Sequence, residues 1–310
     1  MVAWLDARAQ QNLQPPFNSS IKWVKPSLSS RLRAEFTLAK ESSKDDRVLC
    51  LHSLPPLFSN NGEIIIFHQN RNLLSFTPNT SHARRTHIRL YLEKLIAYMY
   101  RHRCSTYWVQ TPSMATALEK WYGEGAVNIR VFPFVQTTTF PARNKSPKLD
   151  FIYVADGEGH KNHRRLIEAW LILARQGLKP SLSLTLSADR DKSLLEWIYQ
   201  LNYKNRMQIS NLGYLSHVEL CKTITQFKAM VFPSINESFG LPLIEAHQAD
   251  LPIIASELDF VRDVCQPVQT FDPYSPVSIA RAVRRFLSKA ESPIKPVSAS
   301  DFLGALIGDI

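Results

Sequence analysis

Residues 231–246, V-F-P-S-I-N-E-S-F-G-L-P-L-I-E-A, carry two carboxylates, a glycine and a proline in an order suited to holding a ligand. A buried strand over 229–232 ends in Pro233 and Ser234, a short polar loop follows, and Pro242 opens a helix, where its missing N–H costs nothing. Gly240, just ahead of that helix, lets a ligand approach the backbone. The unpaired N–H groups of the first helical turn form an anion site at the positive end of the dipole. Phosphate binding is the chemistry to expect. Glu237 in the loop and Glu245 in the first turns would meet different parts of one ligand, and a carboxylate is a bidentate acceptor for vicinal hydroxyls, as in a sugar or ribose. In the first half, I-I-I-F-H-Q-N places His68 directly after a buried strand, at the end where parallel sheets bind ligands. Asn70 and Arg71 follow in the same loop, within reach of a sugar or an acceptor phosphate.

The elements that must position these groups alternate. From Asp150 onward the runs FIYVA, SLSLTLSA, MQISNL, AMVFPS, PIIAS and VQTFD read as strands, and RRLIEAWLILARQ, SLLEWIYQLN, HVELCKTITQF and PLIEAHQA carry apolar residues at helical spacing. Six strands with interleaved helices make a doubly wound α/β domain. The first half has the same grammar: RVLCLH, EIIIFH, TYWVQ and NIRVFPF as strands, and helices over 29–40, 83–103 and 113–121. The expected organisation is two Rossmann-like domains facing across a cleft, at 1–140 and 150–290, with a linker at 141–149 and a tail and helix at 291–310. Residues 1–61 contain no glycine and begin with what reads as the end of a helix, so the first strand and Gly-rich turn of such a domain are expected to be missing. That would leave an unpaired edge or a substitute strand near 21–24.

Composition narrows the class. Hydrophobic residues make up 45% of 310 and charged residues 21%, as in a globular protein, and no apolar run approaches the ~18 residues of a membrane span. The start lacks the basic and apolar regions of a secretory signal, and Cys50, Cys104, Cys221 and Cys265 are too scattered for C-x-x-C chemistry, so a cytoplasmic protein with reduced thiols is expected. Residues 1–147 hold 19 Lys and Arg against 9 Asp and Glu, and the remainder 18 of each, so the whole net charge of +10 lies in the first half. That half suits an anionic partner. Its helix over 83–103 has an apolar stripe (Ile88, Leu92, Leu95, Ile96, Met99) and basic ends, which fits either core packing or an anionic leaflet.

E-S-F-G-L-P-L-I-E-A resembles the E-x7-E signature of the retaining glycosyltransferases of family 4, the group 1 glycosyltransferases, which have the two-domain GT-B fold. The likeness covers nearly the whole chain. Residues 153–162 (YVADGEGHKN) and the following RRLIEAW are similar to the family's opening of the C-terminal domain, 209–216 (ISNLGYLS) to its F-L-G-x-V-S element, and LPIIAS to its G-x-P-V-I-A-S strand.

The resemblance implies that the C-terminal domain binds a nucleotide-sugar donor and the N-terminal domain the acceptor side. Glu237 would bind hydroxyls of the donor sugar, with the backbone of Ser238, Phe239 and Gly240 along the sugar and diphosphate. Glu245 would grip the ribose, and Gly213, Tyr214 and Leu215 would border the base. His68 would contact the donor sugar, and Lys161 would neutralise the departing diphosphate, since a fixed cation stabilises developing negative charge. Asp156 departs from the pattern, standing where the family has arginine; Arg164 or Arg165 would have to compensate. The expected function is a metal-independent retaining glycosyltransferase, with no cofactor, acting on a saccharide or lipid-linked saccharide of a bacterial surface polysaccharide, cytoplasmic and peripheral on the membrane's inner face. No His/Cys cluster calls for a metal. A non-catalytic relative is the first rival, motivated by Asp156 and the missing turn. A nucleic-acid-binding protein is the second, and nucleic acid is set aside because aromatic and basic residues do not interleave.

Overall fold

The computed structural model describes residues 2–10, 20–74, 84–135, 138–143, 146–292 and 295–307. β1 (Val2–Asp6) and β2 (Ser20–Val24) pair in parallel as a separate two-stranded sheet. The opening residues are therefore a strand and not a helix end. Branched and aromatic side chains on both segments suit a pleated surface, and the Lys22 ammonium sits 4.4 Å over the Trp4 ring across the pair. The strand expected near 21–24 exists, but it pairs with β1 rather than extending the neighbouring sheet.

Next come α1 (Leu28–Glu41), capped by the Ser27 hydroxyl accepting from Ser30 N–H, then β3 (Arg47–Cys50) and β4 (Glu63–Phe67). α2 (Arg84–Met99), β5 (Thr106–Val109), α3 (Pro112–Tyr122) and β6 (Ile129–Val131) follow. The four strands form a parallel sheet in the order β3-β4-β5-β6. Ala83, the expected start of α2, lies outside the described residues. The packed side of α2 is Leu90 and Ala97, over Leu54 and Leu73, whereas Ile88, Leu92, Leu95 and Met99 face solvent. The apolar stripe is thus not core packing. Periodicity identifies an amphipathic helix without saying which of its faces meets the protein.

The second half runs β7 (Leu149–Tyr153), α4 (His163–Arg175), β8 (Ser181–Leu184), α5 (Lys192–Asn205), β9 (Gln208–Asn211) and α6 (His217–Ile224). It continues through β10 (Phe227–Phe232), α7 (Leu241–Gln248), β11 (Ile253–Ser256), α8 (Asp259–Arg262), β12 (Gln269–Phe271), α9 (Pro276–Phe286) and α10 (Ala299–Ile307). All strands are parallel, in the order β12-β11-β10-β7-β8-β9. The chain winds outward from β7 in one direction and returns to wind outward from β10 in the other, which makes this a doubly wound Rossmann-like sheet. Phe151, Trp170 and Phe232 anchor its core, and Trp170 Nε1 donates to the Pro180 carbonyl at 3.0 Å. Truncating Trp170 to alanine would cost about 3–5 kcal/mol.

Candidate functional site

The order of winding reverses between β7 and β10, and the carboxyl ends of those two strands open the crevice in which such sheets take their ligands. Two loops meet there. In the loop after β7, Asp156 Oδ1 accepts from Glu158 N–H at 3.3 Å, so this acid turns its own loop. A Cβ at Gly157 would come within 2.5 Å of Asp191 Oδ1, so a side chain there would push that carboxylate aside. Asp189 and Asp191 are an acidic pair two residues apart, but Asp191 is buried and occupied by Ser187 N–H at 3.0 Å. A 3-10 turn, Gly159–Lys161, then presents Lys161.

The loop after β10 is zipped to it. Ile235 N–H donates to the His160 carbonyl at 2.9 Å, and the buried Tyr153 hydroxyl donates to the Lys161 carbonyl at 2.6 Å. Buried Asn162, at φ 62°, donates to the carbonyls of Pro233 (3.0 Å) and Pro273 (2.8 Å), tying three segments together. This framework brings Lys161 Nζ to 2.7 Å from Glu237 Oε1, with side-chain exposures of 17% and 11%. The Ser234 hydroxyl donates to the same oxygen at 2.7 Å. Glu237 Oε2 has no hydrogen bond among the described residues and is available to a ligand hydroxyl.

Gly240, at φ 75°, caps α7, a backbone conformation that disfavours any side chain. Phe239 is buried and Leu241 begins the helix, so the turn 238–240 lies over the positive end of α7. Glu245, on the same helix, is mostly shielded from solvent. Burial pushes its carboxyl up, and His217 opposes this from 3.4 Å. His217 opens α6 two residues beyond Leu215, so the loop of Gly213 (φ 76°), exposed Tyr214 and Leu215 is carried to within one side chain of α7.

The first domain closes the crevice from the opposite side. Arg71 Nη1 donates to the Glu237 carbonyl at 3.0 Å, the Thr111 hydroxyl to the Ser238 carbonyl at 3.4 Å, and Ser113 N–H to Asp263 Oδ2 at 2.8 Å. The resulting cleft of about 80 Å3 is lined by Asn70, Arg71 and Asn72 against His160, Asn236, Glu237 and Ser238. His68 is only 1% exposed and does not line the cleft; its Nε2 is 3.2 Å from the Asn70 carbonyl. Burial drives its pKa down to about 4, which makes it a neutral ring supporting the Asn70 turn.

Lys161, Glu237, Ser238, Asn70 and Arg71 therefore converge, and Glu245 and Gly213–Leu215 form a second cluster along α7. Arg164 does not join them. Its guanidinium lies 4.9 Å over Trp197 on the exposed side of α4, whereas Arg165 Nη1 donates to Asn162 Oδ1 at 3.0 Å. Helical geometry explains the choice, since adjacent residues point about 100° apart. Ser234, Asn162 and His217 were not legible as site residues. Ser234 and Asn162 adjoin motif residues, but their roles depend on contacts between β7, β10 and the segment after β12.

Comparison with known proteins agrees with this architecture. Residues 135–299 match the family described as glycosyl transferases group 1. A 153-residue segment is 31% identical to the serotype-specific mannosyltransferase WbdA of Escherichia coli, covering 48% of this chain and 18% of that protein. The chain thus spans under a fifth of this curated relative. Among solved structures, the lipopolysaccharide outer core galactosyltransferase WaaB superimposes with a TM-score of 0.60 at 15% identity, over 95% of this chain and 85% of that one. HepE of Anabaena, solved with UDP and glucose, gives 0.59 at 12% identity over 86% and 76%. These structural likenesses establish the fold.

Proposed function

Because the chain belongs to the group 1 glycosyl transferases, we propose that it moves a sugar from a nucleoside diphosphate donor to a hydroxyl of a saccharide or lipid-linked saccharide, with retention of configuration, in bacterial surface polysaccharide synthesis. The observation that carries this is the 2.7 Å approach of Lys161 to Glu237 at the switch point, beside the N-terminus of α7. A cation, a carboxylate and a helix dipole in one crevice match the leaving diphosphate, the sugar hydroxyls and the remaining phosphate charge.

In this reading Glu237 accepts from the donor sugar, the 238–240 backbone lies along the diphosphate, and Glu245 takes the ribose. Gly213, Tyr214 and Leu215 border the base. Lys161 leaves Glu237 to follow the charge that grows on the departing phosphate, with α7 and Arg165 in support, so no metal is invoked. His68 acts through Asn70 as a positioning residue. Asn70 and Arg71 face the acceptor, and Arg71 links acceptor loop to donor loop through the Glu237 carbonyl. The solvent-facing apolar stripe of α2 and the basic first half suit the cytoplasmic face of an anionic membrane, where a lipid-linked acceptor would reside. No helix among the described residues is long and apolar enough to span one.

A thermal-shift panel of UDP, GDP, dTDP and their sugars tests the donor side. A ligand at ~100 times its dissociation constant adds about 2.7 kcal/mol of stability. A selective rise with one base class is expected, and no rise with any member would overturn the reading.

A further inference from the structure

His217 adjoins Glu245 in the donor site, and its surroundings hold it in place. It is the first residue of α6, whose start is fixed by a reciprocal cap: Ser216 Oγ accepts from Glu219 N–H at 3.3 Å, and Glu219 Oε2 accepts from Ser216 N–H at 2.8 Å. One turn on, Cys221 Sγ lies 4.0 Å from both ring nitrogens and backs the imidazole. Across from that sulfur, on α7, Glu245 Oε1 lies 3.4 Å from the ring's Nε2.

That separation is too long for a good hydrogen bond, whose optimum is about 2.7–3.2 Å. It leaves a carboxylate that is 16% exposed beside an imidazole that is 51% exposed, each with hydrogen-bonding capacity to spare. A hydroxyl both donates and accepts, so a vicinal diol can donate to the carboxylate while accepting from the imidazole N–H. A carboxylate alone provides only acceptors.

We infer that His217 is the second half of a ribose clamp, completing with Glu245 a donor–acceptor pair that selects a nucleotide carrying both ribose hydroxyls. The inference rests on the reading of Glu245 as the ribose ligand and adds a specificity to it: ribonucleoside diphosphate sugars are taken in preference to deoxyribonucleoside ones. A diol lacking one hydroxyl leaves a polar group of the pair unmatched, and a hydrogen bond to a charged group corresponds to about 10- to 100-fold in affinity.

The test is calorimetric titration of UDP and GDP, each with its 2′-deoxy and 3′-deoxy analogue, and of dTDP into the wild type, His217→Ala, His217→Gln and Glu245→Gln. The wild type is expected to prefer the ribonucleotide of its base class by at least about tenfold over an analogue. His217→Ala should bring at least one of those preferences close to unity with little change in the affinity for that analogue, and His217→Gln, which keeps an N–H donor, should restore part of it. A mere structural weakening would lower affinity for all three ligands equally and would overturn the inference. So would full retention of both preferences in His217→Ala, with nucleotide binding and its dependence on Glu245 intact, and that result would leave the ribose role of Glu245 standing. Binding of dTDP but of neither UDP nor GDP would overturn the inference alone, and absence of binding of all three by the wild type would overturn both.

Discussion

Replacing Lys161 by alanine separates transition-state work from simple binding. The lysine side chain is 17% exposed and its Nζ lies 2.7 Å from Glu237 Oε1, so its loss removes one charge-assisted contact and leaves Glu237 with the Ser234 hydroxyl. The loop backbone does not depend on that ammonium: Tyr153 and Glu158 hold residue 161 through its carbonyl and its N–H. The fold should therefore survive with a loss of about 1.5–3 kcal/mol, the range for a hydrogen bond between charged groups. Turnover should suffer more. A cation positioned for the charge on a leaving diphosphate acts mainly in the transition state, and removal of one preorganised electrostatic contact lowers rate by about 10²–10³. Affinity for the intact donor should fall less than about tenfold if, as proposed, α7 and the 238–240 backbone hold the phosphates. Single-turnover release of nucleoside diphosphate measures the first quantity and calorimetry with the uncleaved donor the second. Equal losses in rate and affinity, or none in rate, would refute the assignment of Lys161 to the leaving group.

Arg165→Ala, which frees Asn162 Oδ1, should lower turnover severalfold, whereas Arg164→Ala, which only uncovers Trp197, should leave it unchanged; steady-state rates of the two variants decide. Stability should fall on acidification between about pH 6.5 and 4. Burial holds His68 near 4 and His163 near 3, so below 6.5 the unfolded chain takes up protons that the folded chain refuses, at a cost on the order of 3 kcal/mol for each by pH 4. Denaturant titrations at pH 7 and 4.5 measure this, and His68→Gln should flatten the slope. Leu92→Ser with Leu95→Ser should weaken binding to vesicles rich in anionic lipid at least tenfold, at about 1.5–3 kcal/mol per leucine, while leaving the melting temperature within a degree or two because both side chains face solvent. Unchanged vesicle retention would remove α2 from the membrane contact.

The C-terminal domain was readable because its punctuation is local. Pro233, Gly240 and Pro242 mark where β10 ends and α7 begins, and β11, the strand that follows, is a short branched run buried on both faces. Periodicity stops short of orientation. The stripe Ile88, Leu92, Leu95 and Met99 is real, but Leu90 and Ala97 are the side of α2 that packs, because small and branched residues there fit Leu54 and Leu73. The strand Val2–Asp6 was missed since its partner is 18 residues away and no alternation marks it. Within the site, Glu237 and Glu245 carry their spacing in the sequence. The contacts of Ser234, Asn162 and His217 arise only when loops from separate strands meet, and the choice of Arg165 over Arg164 needs the helix azimuth.

The most direct trial of the account is release of nucleoside diphosphate by the full chain, supplied with each nucleotide sugar in turn, membrane extract as acceptor source, and a chelator throughout. Release is expected with one base class of donor, dependent on acceptor and undiminished by the chelator. If a donor binds but no nucleoside diphosphate is released in any combination, the catalytic claim is contradicted and a non-catalytic member of the family is the better description.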